Sequence, residues 1–549
     1  MGNAIQTAWV ERPRRTTGLD HLGVRAPCIN IYGQLLPGIT NVTDRARYFS
    51  FYTWVIWKLD QEGVRDWDEV AKDIIRKADC LNTLIAEYHR VLSEDDRAHS
   101  AAAVGILALG GKAREISPNK LITLSNHAQL ETSPDRYFKN PYGGLGQYYI
   151  GSLRDMLILA GDTNSGLRYS DGRGTVLAQA FDSGVDGDRF WNCIRSDSVT
   201  EEDLEALVGF CPCGIPENVQ EQKVLSAILF AEDEHANEAD KIRRLSLQLM
   251  LSLAAQAESA GLAFTPQLFR GAVYGTSLQG KPWELPASLN AVRERWAVYS
   301  QNEVLAMALQ GMFYALLCHI SGIKRPSEHD TPQSLSRWVV DSDVGMQVLG
   351  QFQADTWEEL LEQTKATLPE LEDWHEDSHE IKLMDDIEKL GQQPITDDVV
   401  VKLIVAGINA IAALAVRHGG EGSRYKGLSF SSGYFDFFPL NLDALHNKMT
   451  SWKTLTLSNW LQWVLTHWCT EAHLRVALRK LRGQSEDTFQ IRPTEQGLII
   501  VNEPTPEHTN PRFRQARQVL VDIGALNFVA GERYQMTKMG YSLLEVQDD

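Results

Sequence analysis

The 549-residue chain carries 53 Lys and Arg against 72 Asp and Glu, is 43% apolar, and holds seven cysteines. That length allows roughly three or four domains with cores of their own, and the ordinary apolar content excludes a chain disordered over long stretches. An odd number of cysteines, spread from Cys28 to Cys469 without a framework, excludes a disulfide-stapled secreted scaffold and points to reduced thiols in the cytoplasm.

Met1 to Arg15 has no apolar core of a secretory leader, and Gln6 stands where a myristoylation motif needs Ser or Thr. Met1 to Thr40 is a Pro- and Gly-punctuated arm with Arg12, Arg14, Arg15 and Arg25, ending in a turn at Leu35 to Ile39. Thr43 or Asp44 is then placed to cap a helix bearing Tyr48, Phe49, Phe51, Tyr52, Trp54 and Trp57. Rings interleaved with Arg45 and Arg47 can stack on bases, but such a run is more commonly core. Asp66 to Leu92 has the spacing of an amphipathic helix, with Val70, Ile74, Leu81, Leu84, Ile85 and Tyr88 on one side. A short apolar stretch follows, Ala101 to Leu109, and a loop through Pro134 and Pro141 leads to a compact pattern between Tyr148 and Phe181.

Phe190 to Phe210 is helical in pattern, with Thr200-Glu201-Glu202-Asp203 as a helix start that places acids where the dipole favours them. Val219 to Ala236 and Ala239 to Ala260 predict an antiparallel helical hairpin, and Pro282 to Ile320 a further helix with Trp296, Tyr299, Leu305, Met312 and Phe313. The negative charge concentrates between Asp355 and Asp398, where fifteen acids face only Lys365, Lys382 and Lys389. Its plainest role is a solvated helical face; a protein-docking surface or a cis competitor for a DNA site are the alternatives. Gly391 and Pro394 mark a boundary. Val399 to Val416 is the most apolar run, but Lys402 and Asn409 interrupt it, which suits a buried helix better than a membrane span. A long loop, His418 to Pro439, precedes Leu457 to Leu481, which carries Trp460, Trp463 and Trp468 and ends in Arg475, Arg479, Lys480 and Arg482.

The last stretch, Asn510 to Val546, is the most organised. Pro511 opens a helix with Phe513, Val519, Leu520 and Ile523 at helical spacing, and Gly524 closes it. Leu526, Phe528 and Val529 run into a turn at Ala530-Gly531-Glu532, Arg533 to Thr537 returns as a second strand, and Gly540 to Leu544 is expected to pack back on the helix. This resembles the C-terminal half of winged-helix domains. The Tyr148 to Phe181 stretch echoes it: with Asp155 set against Asp522, Leu153 falls on Leu520, Met156 on Ile523 and Leu159 on Leu526. Arg168-Tyr169 then meets Arg533-Tyr534, and Gly174 with Leu177 matches Gly540 with Leu543 after one deletion. The resemblance implies nucleic-acid contacts through Arg512, Arg514, Arg517, Arg533 and Lys538, with Arg168 and Arg173 as their counterparts, although such modules also serve as packing or docking units. The stretch from Tyr32-Gly33 through Asp44-Arg45-Ala46-Arg47-Tyr48 resembles large uncharacterised bacterial proteins encoded among phage-defence genes, which implies a multi-gene system and assigns no residue a role.

Three constellations offer chemistry. His375-Glu376-Asp377-Ser378-His379 matches H-E-x-x-H, in which His375 and His379 hold zinc and Glu376 acts as base, but the helix is too acidic for that class and no third ligand stands at the expected distance. Glu376 to His379 and Glu232 to His235 are each a Glu-x-x-His, as in di-iron bundles. Cys211-Pro212-Cys213 offers two zinc thiolates, but with no second cysteine pair a structural loop of small buried thiols is expected. No P-loop, nucleophile elbow or metal-nuclease pattern is present.

The expectation is a mainly α, multi-domain protein with small winged-helix (α+β) modules. The divisions fall at 1–115, 116–190, 191–350, 351–398, 399–482 and 483–549. It is read as a non-catalytic DNA-binding or scaffold subunit without a cofactor, in the cytoplasm and off the membrane, beside a separate ATPase or nuclease. A metal-dependent hydrolase centred on His375, Glu376 and His379, and a purely protein-binding scaffold, are the alternatives.

Overall fold

The computed structural model describes residues 14–15 and 20–545, apart from 65–68, 95–96, 116–120, 132–134, 161–166, 276, 279–280, 322–328, 372–378, 421–424, 426–427, 429–439, 485 and 496. It is 65% helical and 6% strand, and all the strands are short two-stranded pairs, so the chain is mainly α. The chain forms two compact units, each gathered from segments far apart in sequence. One comprises Met1–Tyr32, Gln267–Trp283 and Glu294–Thr509, the other Gly33–Pro266, Glu284–Arg293 and Asn510–Asp549.

The second of these is built round the aromatic helix Arg47–Gln61. Tyr48, Phe49, Phe51, Tyr52 and Trp54 are all buried. Their rings meet Tyr149, Phe181, Phe190, Trp191 and Phe210 at centroid distances of 5.1–6.5 Å. Ring area removed from water holds this core, and the base-stacking alternative for these aromatics is thereby excluded. Arg45 and Arg47 are buried with them, paired to Asp522 at 3.1 Å and Glu221 at 3.0 Å. The helix has no side-chain cap from Thr43 or Asp44. The Thr43 hydroxyl closes a local turn with Thr40 instead, and the Ala46 N–H donates to Asp522.

Helix Val70–Leu92 contributes two buried charged hubs. Arg76 donates to the carbonyls of Ala128, Gln129, Phe138 and Asn140. Asp79 accepts from the Tyr52 and Tyr137 hydroxyls and the Gly144 N–H, and burial still lifts its carboxyl to about 6. The predicted helical hairpin forms from Val219–Leu229 and Glu238–Ala260, the latter opened by a capping box of Asn237 and Asp240 and closed by Gly261 at φ +69°.

In the other unit the apolar helix Asp397–His418 is central and mostly buried, as its sequence predicts. This helix and Ala287–Ser321 are the two among the described residues long and apolar enough to cross a membrane, and 78% and 83% of their apolar windows are buried inside the protein. Gly407 lets Met312 and the Ala308 carbonyl approach where an alanine Cβ would clash. The acidic helix His379–Gly391 packs on Asp397–His418 and buries Ile381, Met384 and Ile387. Of its acids, Glu380 is buried on Arg417 at 2.7 Å and Asp385, Asp386 and Glu388 are half-buried, so the expected solvated acidic face is not what this helix presents. Trp357, Trp452 and Trp460 form a dry cluster, with Trp357 and Trp460 stacked at 4.1 Å. The Pro- and Gly-punctuated arm contains a helix, Arg25–Leu35. Asp20 starts it by accepting from the N–H groups of Gly23, Val24, Arg25 and Ala26.

Glu303 is buried in this unit. Burial opposes its charge, but hydrogen bonds from the His508 ring, the Thr509 N–H at 2.6 Å and the Thr509 hydroxyl at 2.5 Å win, with Arg270 adding attraction. Its carboxyl is held at about 2.

Candidate functional site

The echo between the two predicted modules is matched in the hydrogen bonds that end the helix and seat the closing glycine, but with Leu159 on Leu526 the hairpin register sets Arg168 and Tyr169 on Gln535 and Met536 rather than on Arg533 and Tyr534. In the first, helix Ile150–Asp155 ends with the N–H groups of Met156, Leu157 and Ile158 donating to Ser152, Arg154 and Leu153. In the last, helix Phe513–Asp522 ends with Ile523, Gly524 and Ala525 donating to Val519, Val521 and Leu520. Leu157 and Gly524 both sit in the left-handed region, at φ +55° and +80°. A short antiparallel hairpin follows each, Leu159–Ala160 with Arg168–Tyr169 and Leu526–Ala530 with Arg533–Met536. The hydroxyls of Ser170 and Thr537 then donate to the carbonyls of Leu157 and Gly524 and accept from the N–H groups of Gly174 and Gly540. A Cβ on either glycine would overlap a carbonyl oxygen, of Ile158 or Ala525. The closing helix of the terminal module, Lys538–Leu544, packs chiefly on Glu238–Ala260 and on its own hairpin.

The cations expected to meet phosphate are placed unequally. Arg514, Arg533, Lys538 and Arg168 are exposed. Arg512, at φ +61°, instead donates to the Leu36 carbonyl. Arg517 donates to the Phe264 carbonyl, pairs with Glu532 at 3.4 Å, and lies over the rings of Phe513 and Tyr534. Arg173 is buried between Asp233 and Asp240, at 2.7 and 2.9 Å. These three guanidiniums hold the fold together, which removes them from a phosphate-facing surface.

A different set of residues converges where the sequence showed only half a site. His89 lies near the end of helix Val70–Leu92, His99 on the following loop, and Cys211 and Cys213 just after the turn Val208–Phe210. One ligand atom from each of the four lies within 4.8 Å of all the others. His99 Nδ1 is 3.2 Å from Cys213 Sγ and 3.6 Å from Cys211 Sγ, and His89 Nδ1 is 3.7 Å from Cys213 Sγ. Cys211, Cys213 and His99 are buried, His89 half-buried. Cys211-Pro212-Cys213-Gly214 is a tight turn, with the Gly214 N–H donating to the Cys211 carbonyl. Gly214 has no room for a Cβ because Arg47 passes there to donate to the same carbonyl. Burial pushes the Cys211 thiol up, while its hydrogen bond to Cys213 and the nearby His99, Arg97 and His89 pull the Cys213 thiol down.

No protein family, curated protein or solved structure matches the chain.

Of the other candidates, His375 and Glu376 lie outside the described residues, and His379 is the first residue of its helix, at φ +48°. Glu232 to His235 falls in the turn between two helices, where Ala231 takes φ +56°. That overturns the helical Glu-x-x-His geometry a di-iron site needs there. Arg475 and Arg482 are exposed on helix Glu471–Gln484, and Arg475 edges an open groove of about 700 Å³ that also contains Lys448, Trp463 and His467.

Proposed function

We infer that the protein is a non-catalytic DNA-binding or scaffold subunit of a bacterial multi-protein system, of the anti-phage kind, in which another subunit supplies ATPase or nuclease activity. The observation that carries the reading is the placement of Arg514. It stands at the second position of its helix, exposed, where a cation opposes the positive end of the helix dipole. Helix stability gives no reason for it, whereas a phosphate would be attracted by the arginine and the helix terminus together. Arg533 and Lys538 add exposed positive charge on the same module, and Arg168 on its structural echo.

The test is fluorescence anisotropy of the full chain with a short duplex and with its single strand across a salt series. Arg514→Glu combined with Arg533→Glu is expected to weaken binding roughly a hundredfold at low salt and to flatten the salt dependence by about two phosphate contacts. Binding unchanged in that variant removes the terminal module from the interface. Deleting 510–549 is a poorer test, because the module supplies partners to Leu36, Arg45, Gln222 and Gln248 inside its unit.

A protein-docking role has one observation in its favour. Phe528 and Val529 on the hairpin and Tyr541 on the last helix are each about half exposed. Wild-type protein that fails to bind either DNA at low salt gives that reading preference.

A further inference from the structure

We propose that His89, His99, Cys211 and Cys213 bind one Zn²⁺ ion as a closed structural site that locks together the segments meeting beside the aromatic core. A tetrahedral zinc with bonds of about 2.3 Å to sulfur and 2.0–2.1 Å to nitrogen sets its ligands about 3.8 Å apart for two sulfurs, 3.6 Å for sulfur and nitrogen, and 3.4 Å for two nitrogens. The three recorded sulfur–nitrogen separations, 3.2, 3.6 and 3.7 Å, bracket that value. Two thiolates and two imidazoles in a tetrahedron suit zinc above the hard cations, which want oxygen. With four protein ligands no position is left for water or substrate, so the site braces the fold and does no chemistry.

The surroundings fit an ion with two thiolates. Ala86, Ala103 and Ile106 form an apolar wall beside the two cysteines. Zn²⁺ with two thiolates is electrically neutral, the cheapest state in such a pocket. Two segments of the site are also held from outside. Arg45 donates to the carbonyls of Ala98, His99 and Ala101, and Arg47 to the Cys211 carbonyl at 2.5 Å. Each arginine is neutralised by its own buried acid, Asp522 or Glu221, which leaves the thiolate charge for the metal.

The experiment is elemental analysis of the full chain purified without chelator from zinc-supplemented cells. About one zinc per chain is expected, retained in His379→Ala and lost in Cys213→Ser and His99→Ala. The His379 variant separates this site from the H-E-x-x-H alternative, and zinc lost there but kept in Cys213→Ser overturns the proposal. Should the cysteine and histidine variants not fold, the wild type decides. Exchange with Co²⁺ must give the intense visible bands of a tetrahedral ion with a thiolate-to-metal charge-transfer band. Zinc-free protein that also takes up Co²⁺ without those bands refutes it. Neither result depends on whether the protein binds DNA.

Discussion

Asp522→Ala is the sharpest probe of how the terminal module is held. The carboxylate accepts from Arg45 Nε at 3.1 Å, from the Ala46 N–H at 2.8 Å and from Gln518 at 2.8 Å, and the Arg45 and Asp522 side chains are only 3% and 2% exposed. Truncation leaves a guanidinium and a backbone N–H buried without their acceptor. Breaking one side of a buried pair costs about 3–5 kcal/mol, most of it the stranded charge. For a unit of this size that corresponds to a fall of roughly 6–10 °C in the midpoint of its thermal unfolding. The control is Glu238→Ala, which breaks an exposed pair with Lys241 and is expected to cost under about 0.5 kcal/mol. Urea and thermal unfolding followed by circular dichroism measure both. A loss below about 1 kcal/mol for Asp522→Ala refutes the claim that this pair holds the module.

The two module echoes predict paired lesions: Gly174→Ala and Gly540→Ala each force a methyl onto a carbonyl oxygen and are expected to destabilise by about 2 kcal/mol or more in thermal melts. Gly151→Ala, in a helix with open space beside it, is expected to be neutral or stabilising by up to about 1 kcal/mol. Trp357→Ala removes a ring stacked on Trp460 and packed edge-on against Trp452, and should cost about 3–5 kcal/mol with a loss of near-ultraviolet dichroism. Glu303 has a folded value below its free value of 4.5, so its contribution is present above that pH and drains away as pH falls toward about 2. The difference amounts to about 3 kcal/mol, and urea midpoints measured between pH 5 and 2 should fall less steeply in Glu303→Gln.

What sequence made legible was local. Helix Phe513–Asp522, its glycine stop, the hairpin and the fainter copy at Ile150 to Phe181 follow from apolar spacing and turn residues that lie within a few positions of one another. The burial of Asp397–His418 followed from composition alone. What stayed hidden depends on distant partners. The pairing of Arg45 and Arg47 is not legible in the sequence because Asp522 and Glu221 lie far along the chain. Cys211 and Cys213 looked like an incomplete pair because the completing ligands are histidines more than a hundred residues earlier, at a spacing no short motif captures. Arg173 and Arg517 matched a pattern for phosphate contact, yet acids brought in by the fold claim them first.

The unit that begins at Gly33 receives its closing module only at Asn510. At a synthesis rate of about 5–20 residues per second, the chain between Pro266 and that module takes roughly 12–50 s to emerge, many times longer than an isolated helical domain needs to fold. For that interval Arg45 has no Asp522 and the floor beneath Phe264 has no Phe513. A nascent chain that long exposed is an obvious client for chaperones, and its yield in cells should respond to translation speed more than its equilibrium stability would suggest.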